Sequence, residues 1–273
     1  MHPFISGNKF RKLKYNIELY NRQKACGIVT FGGAYSNHIE AVSAAGKAFN
    51  IKTFGVIRGE ELKNKPLNRT LLRAASNGMK LIFVSREEYK QKEDISMLIK
   101  YLPDINEMYV LPEGGTNYLA VKGCEEILSE SDKEFDYICC SVGTGGTLSG
   151  LINSSESNQS LIGFSALKGD FLQNVISPLT NKNNWAVNTN YHFNGYAKIS
   201  RELIEFINDF KKDYNIQLDP IYTGKMMYGI MDMIKNNKFK KNTSILAIHT
   251  GGLQAIDGMN IELKRKGMPL INT

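Results

Sequence analysis

Lys9 stands in the run Ser6-Gly7-Asn8-Lys9-Phe10-Arg11-Lys12-Leu13, between a flexible Gly-Asn bend and an apolar-basic stretch that reads as the start of a helix. A lysine that serves as a covalent handle has to be partly desolvated to shed its proton near neutral pH, and such a bend is a place to hold a reactive amine. An ordinary lysine in a basic chain is a solvated surface charge, so this run points to chemistry only in the company of other motifs. Lys12 is the close competitor, and a helix opening near Phe10 is expected to turn it onto a different face from Lys9.

The strongest local chemistry is Gly143-Thr144-Gly145-Gly146-Thr147, between an apolar run at 137–142 and a helical one. Free amides at a helix start, glycines that let the main chain approach and two threonine hydroxyls make a phosphate cradle. A Walker loop needs a lysine before the final Ser/Thr, and a dinucleotide loop needs a third glycine where Leu148 stands, so a single terminal phosphate monoester fits better. A plain glycine-rich turn is the structural alternative.

Gly32-Gly33-Ala34-Tyr35-Ser36-Asn37-His38 is a second strand-to-helix junction, offering a hydroxyl, an amide and an imidazole where a helix N-terminus attracts anions. A substrate carboxylate fits that set; the alternatives are that Ser36 or Asn37 only caps its helix and that His38 is a satisfied polar group. Asp219-Pro220-Ile221-Tyr222-Thr223-Gly224-Lys225 opens another helix with a tyrosine near its start. His249-Thr250-Gly251-Gly252 follows a buried strand, where a parallel sheet presents its carboxyl edge to ligand, and Gly195-Tyr196 belongs to the same weaker class.

The elements that must position these groups alternate. Strand-like runs at 27–31, 53–57, 81–84, 108–111, 137–142, 161–166 and 245–248 are interleaved with helical patterns at 37–49, 67–75, 87–101, 119–128, 148–153, 171–176, 200–210 and 225–234, and with a last helix from about Leu253. Such βα units predict an α/β protein with parallel sheets flanked by helices, and their number predicts two sheets. The expected division puts residues 1–15 and 120–273 in a large cofactor-binding domain and residues 16–119 in a small one, with the chain crossing near Pro112-Glu113-Gly114-Gly115.

The 273 residues, 42% of them hydrophobic, exclude disordered and fibrous classes. A net charge of +7 is spread along helical faces without arginine-rich loops, which argues against nucleic acid and for solubility with a minor attraction for anionic ligands. The four cysteines, Cys26, Cys124, Cys139 and Cys140, lack metal-ligand spacing, so no metal is expected; reduced core cysteines predict a cytoplasmic protein. No stretch approaches a membrane span and no signal-peptide pattern opens the chain.

Together these motifs, from Ser6-Gly7-Asn8-Lys9 to His249-Thr250-Gly251-Gly252, resemble the pyridoxal-phosphate-dependent family of 1-aminocyclopropane-1-carboxylate deaminases and D-cysteine desulfhydrases. The resemblance covers nearly the whole chain and implies a two-domain tryptophan-synthase β-like fold of fold type II, pyridoxal 5′-phosphate as cofactor, a small amino-acid substrate and a homodimer. It implies that Lys9 carries the cofactor as a Schiff base, that Gly143, Thr144, Gly145, Gly146 and Thr147 hold its phosphate, that Asn37 bonds the pyridine 3′-oxygen and that Thr250 lies beside the ring nitrogen. Ser36, Asn37 and His38 would receive the substrate carboxylate, with Lys9, Ser36, Tyr196 and Tyr222 as the catalytic set. Family members carry a segment ahead of the lysine motif, and it is expected to be missing from this chain, which starts at Met1-His2-Pro3. Cyclopropane-opening members carry a glutamate after the tyrosine, near the ring nitrogen, where this chain has Thr223. A carboxylate there keeps that nitrogen protonated, as a difficult C–C cleavage requires, so the expectation is β-elimination from a D-amino acid such as D-cysteine to pyruvate, ammonia and sulfide. Deamination of 1-aminocyclopropane-1-carboxylate to 2-oxobutyrate is one alternative, and a catalytically silent protein that binds the cofactor or another phosphate ligand is the other.

Overall fold

The computed structural model describes residue 5 and residues 7–273. Ser6 of the lysine motif and the opening Met1-His2-Pro3 lie outside the described residues. The chain divides into two compact units, Met1–Asn117 and Tyr118–Thr273, each built on a four-stranded sheet. All strand pairs are parallel, as the βα alternation predicts.

The first unit comprises α1 (Asn8–Gln23), β1 (Ile28–Gly32), α2 (Asn37–Phe49), β2 (Thr53–Arg58), α3 (Arg69–Ser76), β3 (Lys80–Val84), α4 (Arg86–Lys90) and β4 (Tyr109–Leu111), with sheet order β3-β2-β1-β4. All five residues of β1 are buried, because helices or turns cover both faces of the sheet. Ile28 joins the cluster of Leu13, Ile39, Val42 and Leu71 from α1, α2 and α3, whereas Val29 and Phe31 join Val56, Val84, Leu98 and Leu102 on the opposite face. Helix α1 runs unbroken through residues 15 and 16.

The second unit comprises α5 (Tyr118–Cys124), β5 (Tyr137–Val142), α6 (Gly146–Ser154), β6 (Ser160–Ser165), α7 (Leu172–Ile176), β7 (Trp185–Asn188), α8 (Arg201–Tyr214), α9 (Thr223–Lys235), β8 (Ile245–Ile248) and α10 (Ala255–Arg265), with sheet order β7-β6-β5-β8. Ile138, Cys140 and Val142 pack with Leu148 and Leu151 of α6 on one face, and Cys139 packs with Met226 and Ile230 of α9 on the other. A separate core forms between α8 and α10 from Leu203, Ile207, Ile256 and Leu263.

Two expectations are corrected. The helix expected over 87–101 ends at Lys90, because the Asp94 side chain accepts from Ser96 N–H and starts a 3₁₀ turn at Ile95–Leu98. The fold-back brings Leu98 and Leu102 against Tyr89, under the sheet. Strand β7 had no counterpart in the sequence reading, since it is a short, half-buried edge strand without a turn signal. Among the described residues no helix is long and apolar enough to cross a membrane.

Candidate active site

In both sheets the strand order places the switch point beside the first strand: at β1/β4 in one unit and β5/β8 in the other. Ligands of open parallel sheets bind outside the carboxyl ends of strands at such points. The motifs at 32–38, 143–147 and 249–252 follow β1, β5 and β8 there, whereas Lys9, Tyr196 and Tyr222 come from other elements of their units.

In the first unit β1 delivers Ser36, Asn37 and His38. Ser36 is the N-cap of α2, its Oγ accepting from the N–H groups of His38 at 3.2 Å and Ile39 at 3.3 Å. A Cβ on Gly32 would lie 2.7 Å from that Oγ, so the turn can close only over glycine. Asn37 is half-buried in the first turn. The His38 imidazole is buried and 2.8 Å from Thr30 Oγ1, which itself donates to the Leu111 carbonyl at 2.8 Å. Because the single hydroxyl proton is spent on Leu111, the imidazole Nε2–H is the donor and Nδ1 is unprotonated. Gly115, with φ 68°, lies against the ring, and a Cβ there would stand 2.8 Å from Cε1. Burial, and then the charges of Lys9 and Lys12, hold His38 well below the usual histidine range, so the ring is neutral.

Helix α1 opens at Asn8, before Phe10, and this corrects the expectation that Lys9 and Lys12 face apart: three residues along one helix they are neighbours. What separates them is their partners. Lys12 is buried and its Nζ donates to Gly114 O at 3.0 Å and Thr116 Oγ1 at 2.9 Å, which anchors α1 to the segment after β4. Asn16 extends the anchor, accepting from Tyr109 OH at 2.6 Å and from Asn117 Nδ2 at 2.7 Å. Lys9 is half-buried, with Nζ 3.3 Å from Asn8 Oδ1.

In the second unit β5 and β8 are parallel neighbours with Cys140 opposite Ile248, so the loops that follow them leave side by side. Ser141 Oγ and Thr250 Oγ1 are 3.4 Å apart. The turn Gly143-Thr144-Gly145 leads into α6, whose N-cap is Gly145 at φ 84°, with no side chain capping the helix. Tyr222 borders the turn: a Cβ on Gly143 would lie 3.0 Å from its Cε1 and 3.3 Å from its hydroxyl. The Tyr196 and Tyr222 rings meet edge-on with centroids 6.3 Å apart.

Tyr222 is held by a cap that the residue types signalled in part. The buried Asp219 carboxylate accepts from the N–H groups of Ile221, Tyr222 and Thr223, each at 2.8 Å, and from Thr223 Oγ1 at 2.7 Å. Thr223 Oγ1 in turn accepts from Asp219 N–H at 2.9 Å. Asp-Pro followed by threonine is a recognisable helix opening. The sequence reading missed Thr30, and nothing local marks it, since its partners His38 and Leu111 come from other elements.

The donor set suits pyridoxal phosphate. In the second unit a nine-residue helix without a side-chain cap, two threonines and a glycine whose Cβ would crowd Tyr222 at 3.0 Å make a set of donors suited to a phosphate. The family model of the pyridoxal-phosphate dependent enzymes matches residues 1–251, and the chain belongs to that family. A protein of Thermotoga maritima, provisionally named 1-aminocyclopropane-1-carboxylate deaminase, is 32% identical over 91% of this chain and 84% of its own length. The bifunctional D-cysteine desulfhydrase/1-aminocyclopropane-1-carboxylate deaminase of Arabidopsis thaliana is 30% identical over 91% of this chain and 69% of its own. Among solved structures, an ACC deaminase homologue matches with TM-score 0.78 and 27% identity over 93% of this chain and 84% of that one.

Proposed function

We propose that the protein is a lyase that eliminates the β-substituent of a small amino acid, with D-cysteine preferred and pyruvate, ammonia and sulfide as products. Bound pyridoxal phosphate supplies the electron sink that makes the substrate α-carbon acidic. Lys9 Nζ would be the covalent anchor for the cofactor and the base for the α-proton. The amides of Gly143, Gly145 and Gly146 and the hydroxyls of Thr144 and Thr147 would hold the phosphate, and Asn37 and Thr250 would hold the pyridine ring. Ser36, Asn37 and the main-chain N–H of His38, whose imidazole is committed to Thr30, receive the substrate carboxylate at the positive end of α2. Tyr196 and Tyr222 act on the substrate, and Ser36 completes the catalytic set. Functionally, residues 1–15 and 120–273 form the cofactor domain and residues 16–119 the small one.

The observation that carries the substrate choice is the state of Thr223. Its hydroxyl both donates to and accepts from Asp219, so the residue after Tyr222 brings neither a carboxylate nor an uncommitted hydroxyl to the ring nitrogen. β-Elimination of a thiol needs less electron withdrawal than cleavage of a C–C bond. The test compares pyruvate from D-cysteine or β-chloro-D-alanine with 2-oxobutyrate from 1-aminocyclopropane-1-carboxylate. A preference of roughly a hundredfold in kcat/KM, about 3 kcal/mol at the transition state, is expected. Comparable values would favour the second reading, the hydrolytic deamination for which the relatives above are named. Four free cysteines support a reducing, cytoplasmic location, and we place the working form as a homodimer by analogy within the family.

A further inference from the structure

Lys225, on the first turn of α9 and three residues after Tyr222, is buried, and the chemistry above makes no use of it. Its ammonium donates to the carbonyl oxygens of His192 at 2.9 Å and Gly195 at 2.7 Å. The same two carbonyls close consecutive turns: His192 O accepts from Gly195 N–H at 2.9 Å and Gly195 O from Lys198 N–H at 3.2 Å. In the first turn both central residues, Phe193 and Asn194, have positive φ, 49° and 67°. In the second, Tyr196 is followed by Ala197 at φ 55°, a place that turns of this kind reserve for glycine. Phenylalanine and alanine in the left-handed region are strained, and such residues persist where the surroundings over-determine them. Within the second turn stands Tyr196, 43% exposed yet edge-on to Tyr222.

We infer that Lys225 is a positioning residue whose ammonium pins both turns and thereby sets the Tyr196 ring against Tyr222. One turn of α9 thus supplies Tyr222 directly and Tyr196 through its tether. Holding a lysine there is costly: burial brings it down from 10.5 to about 8, opposed only by the Asp219 carboxylate. Apolar packing alone would be served better by methionine, which neighbours it at 226 and 227.

The inference rests on the reading of Tyr196 and Tyr222 as the pair that acts on substrate, so the experiment has one arm that does not. In the cofactor-loaded protein, Lys225→Met is expected to speed hydrogen exchange at the Gly195 and Lys198 amides by about tenfold or more, while the Tyr222 and Thr223 amides on the Asp219 cap keep their protection. Unchanged exchange at Gly195 and Lys198 would overturn the tether. In the second arm, Tyr196→Phe should lower kcat by roughly tenfold in the wild-type background and hardly at all beside Lys225→Met, since the ring is already misplaced. Equal losses in both backgrounds would also overturn the inference. A Tyr196→Phe variant with wild-type kcat would count against the catalytic reading of Tyr196, and the exchange arm would still decide the tether. Should Lys225→Met fail to fold, the pair Lys225→Met/Ala197→Gly relieves strain in the second turn. Recovery of a folded protein supports the inference, and a pair that stays unfolded assigns Lys225 to the core and overturns it.

Discussion

Lys9 and Lys12 share one side of one helix and differ in what their ammonium groups touch. Lys12 is spent on Gly114 O and Thr116 Oγ1. Lys9→Ala is therefore expected to abolish the absorbance of covalently bound cofactor and its borohydride-trapped adduct, whereas Lys12→Ala should lower stability by about 1–3 kcal/mol, the cost of stranding buried acceptors, and keep the adduct. An adduct that survives Lys9→Ala and vanishes with Lys12→Ala would reverse the assignment. His38 gives a second test at this scale. Its folded-state value lies well below 6.5, so only the unfolded chain takes up a proton as the pH falls through that point. The stability it permits is fully present above about pH 6.5 and is lost below it at up to about 1.4 kcal/mol per pH unit, until the folded ring also protonates. Urea unfolding at pH 7.5 and 5.5 should show a smaller acid loss for His38→Gln than for the wild type, and equal losses would show that the ring is not held neutral. The runs at 36–38 and 143–147 were legible as strand-to-helix junctions, and they open α2 and α6. The tautomer of His38 was not, because Thr30 and Leu111 set it from eight and many more residues away.

At the scale of elements, α9 depends on Asp219 for its opening. Replacing Asp219 with alanine leaves the buried N–H groups of Ile221 and Thr223, the partly buried one of Tyr222 and the Thr223 hydroxyl without their acceptor. A loss of about 2–4 kcal/mol in chemical denaturation is expected, together with weaker retention of the cofactor, since Tyr222 and the Gly143 turn lose their mutual register. A loss below about 0.5 kcal/mol would show that solvent replaces the cap. The same element explains what was readable beforehand. Residues 137–142 and 245–248 are short apolar runs bounded by polar turns, and they form β5 and β8 over those limits. Residues 87–101 carry helical spacing too, but the local bond from Ser96 N–H to Asp94 and the demand for Leu98 beneath the sheet outweigh it. Strand β7 forms because β6 offers a free edge to residues 185–188, a fact about the neighbour and not about the segment.

On the scale of the molecule, the parallel α/β architecture and the number of sheets followed from the alternation of elements alone. The matching strand orders did not, because periodicity gives the sequence of strands and not which of them become neighbours. Those orders have a consequence for the time at which the protein becomes competent. In each unit the strand that completes the switch point is the last one made: β4 joins β1 across 81 residues and β8 joins β5 across 108. Closing such long loops is the slow part of forming a parallel sheet. The Gly143 turn and Thr250 therefore become neighbours only after β8 has been made, when the core around β5, β6 and α6 has had every opportunity to form. Refolding followed by far-ultraviolet circular dichroism should run ahead of recovery of cofactor fluorescence, and a simultaneous rise of the two signals would contradict this order. On the ribosome, the second unit would therefore wait as a scaffold through the making of α6 to α9, and its switch point would close only once β8 has emerged.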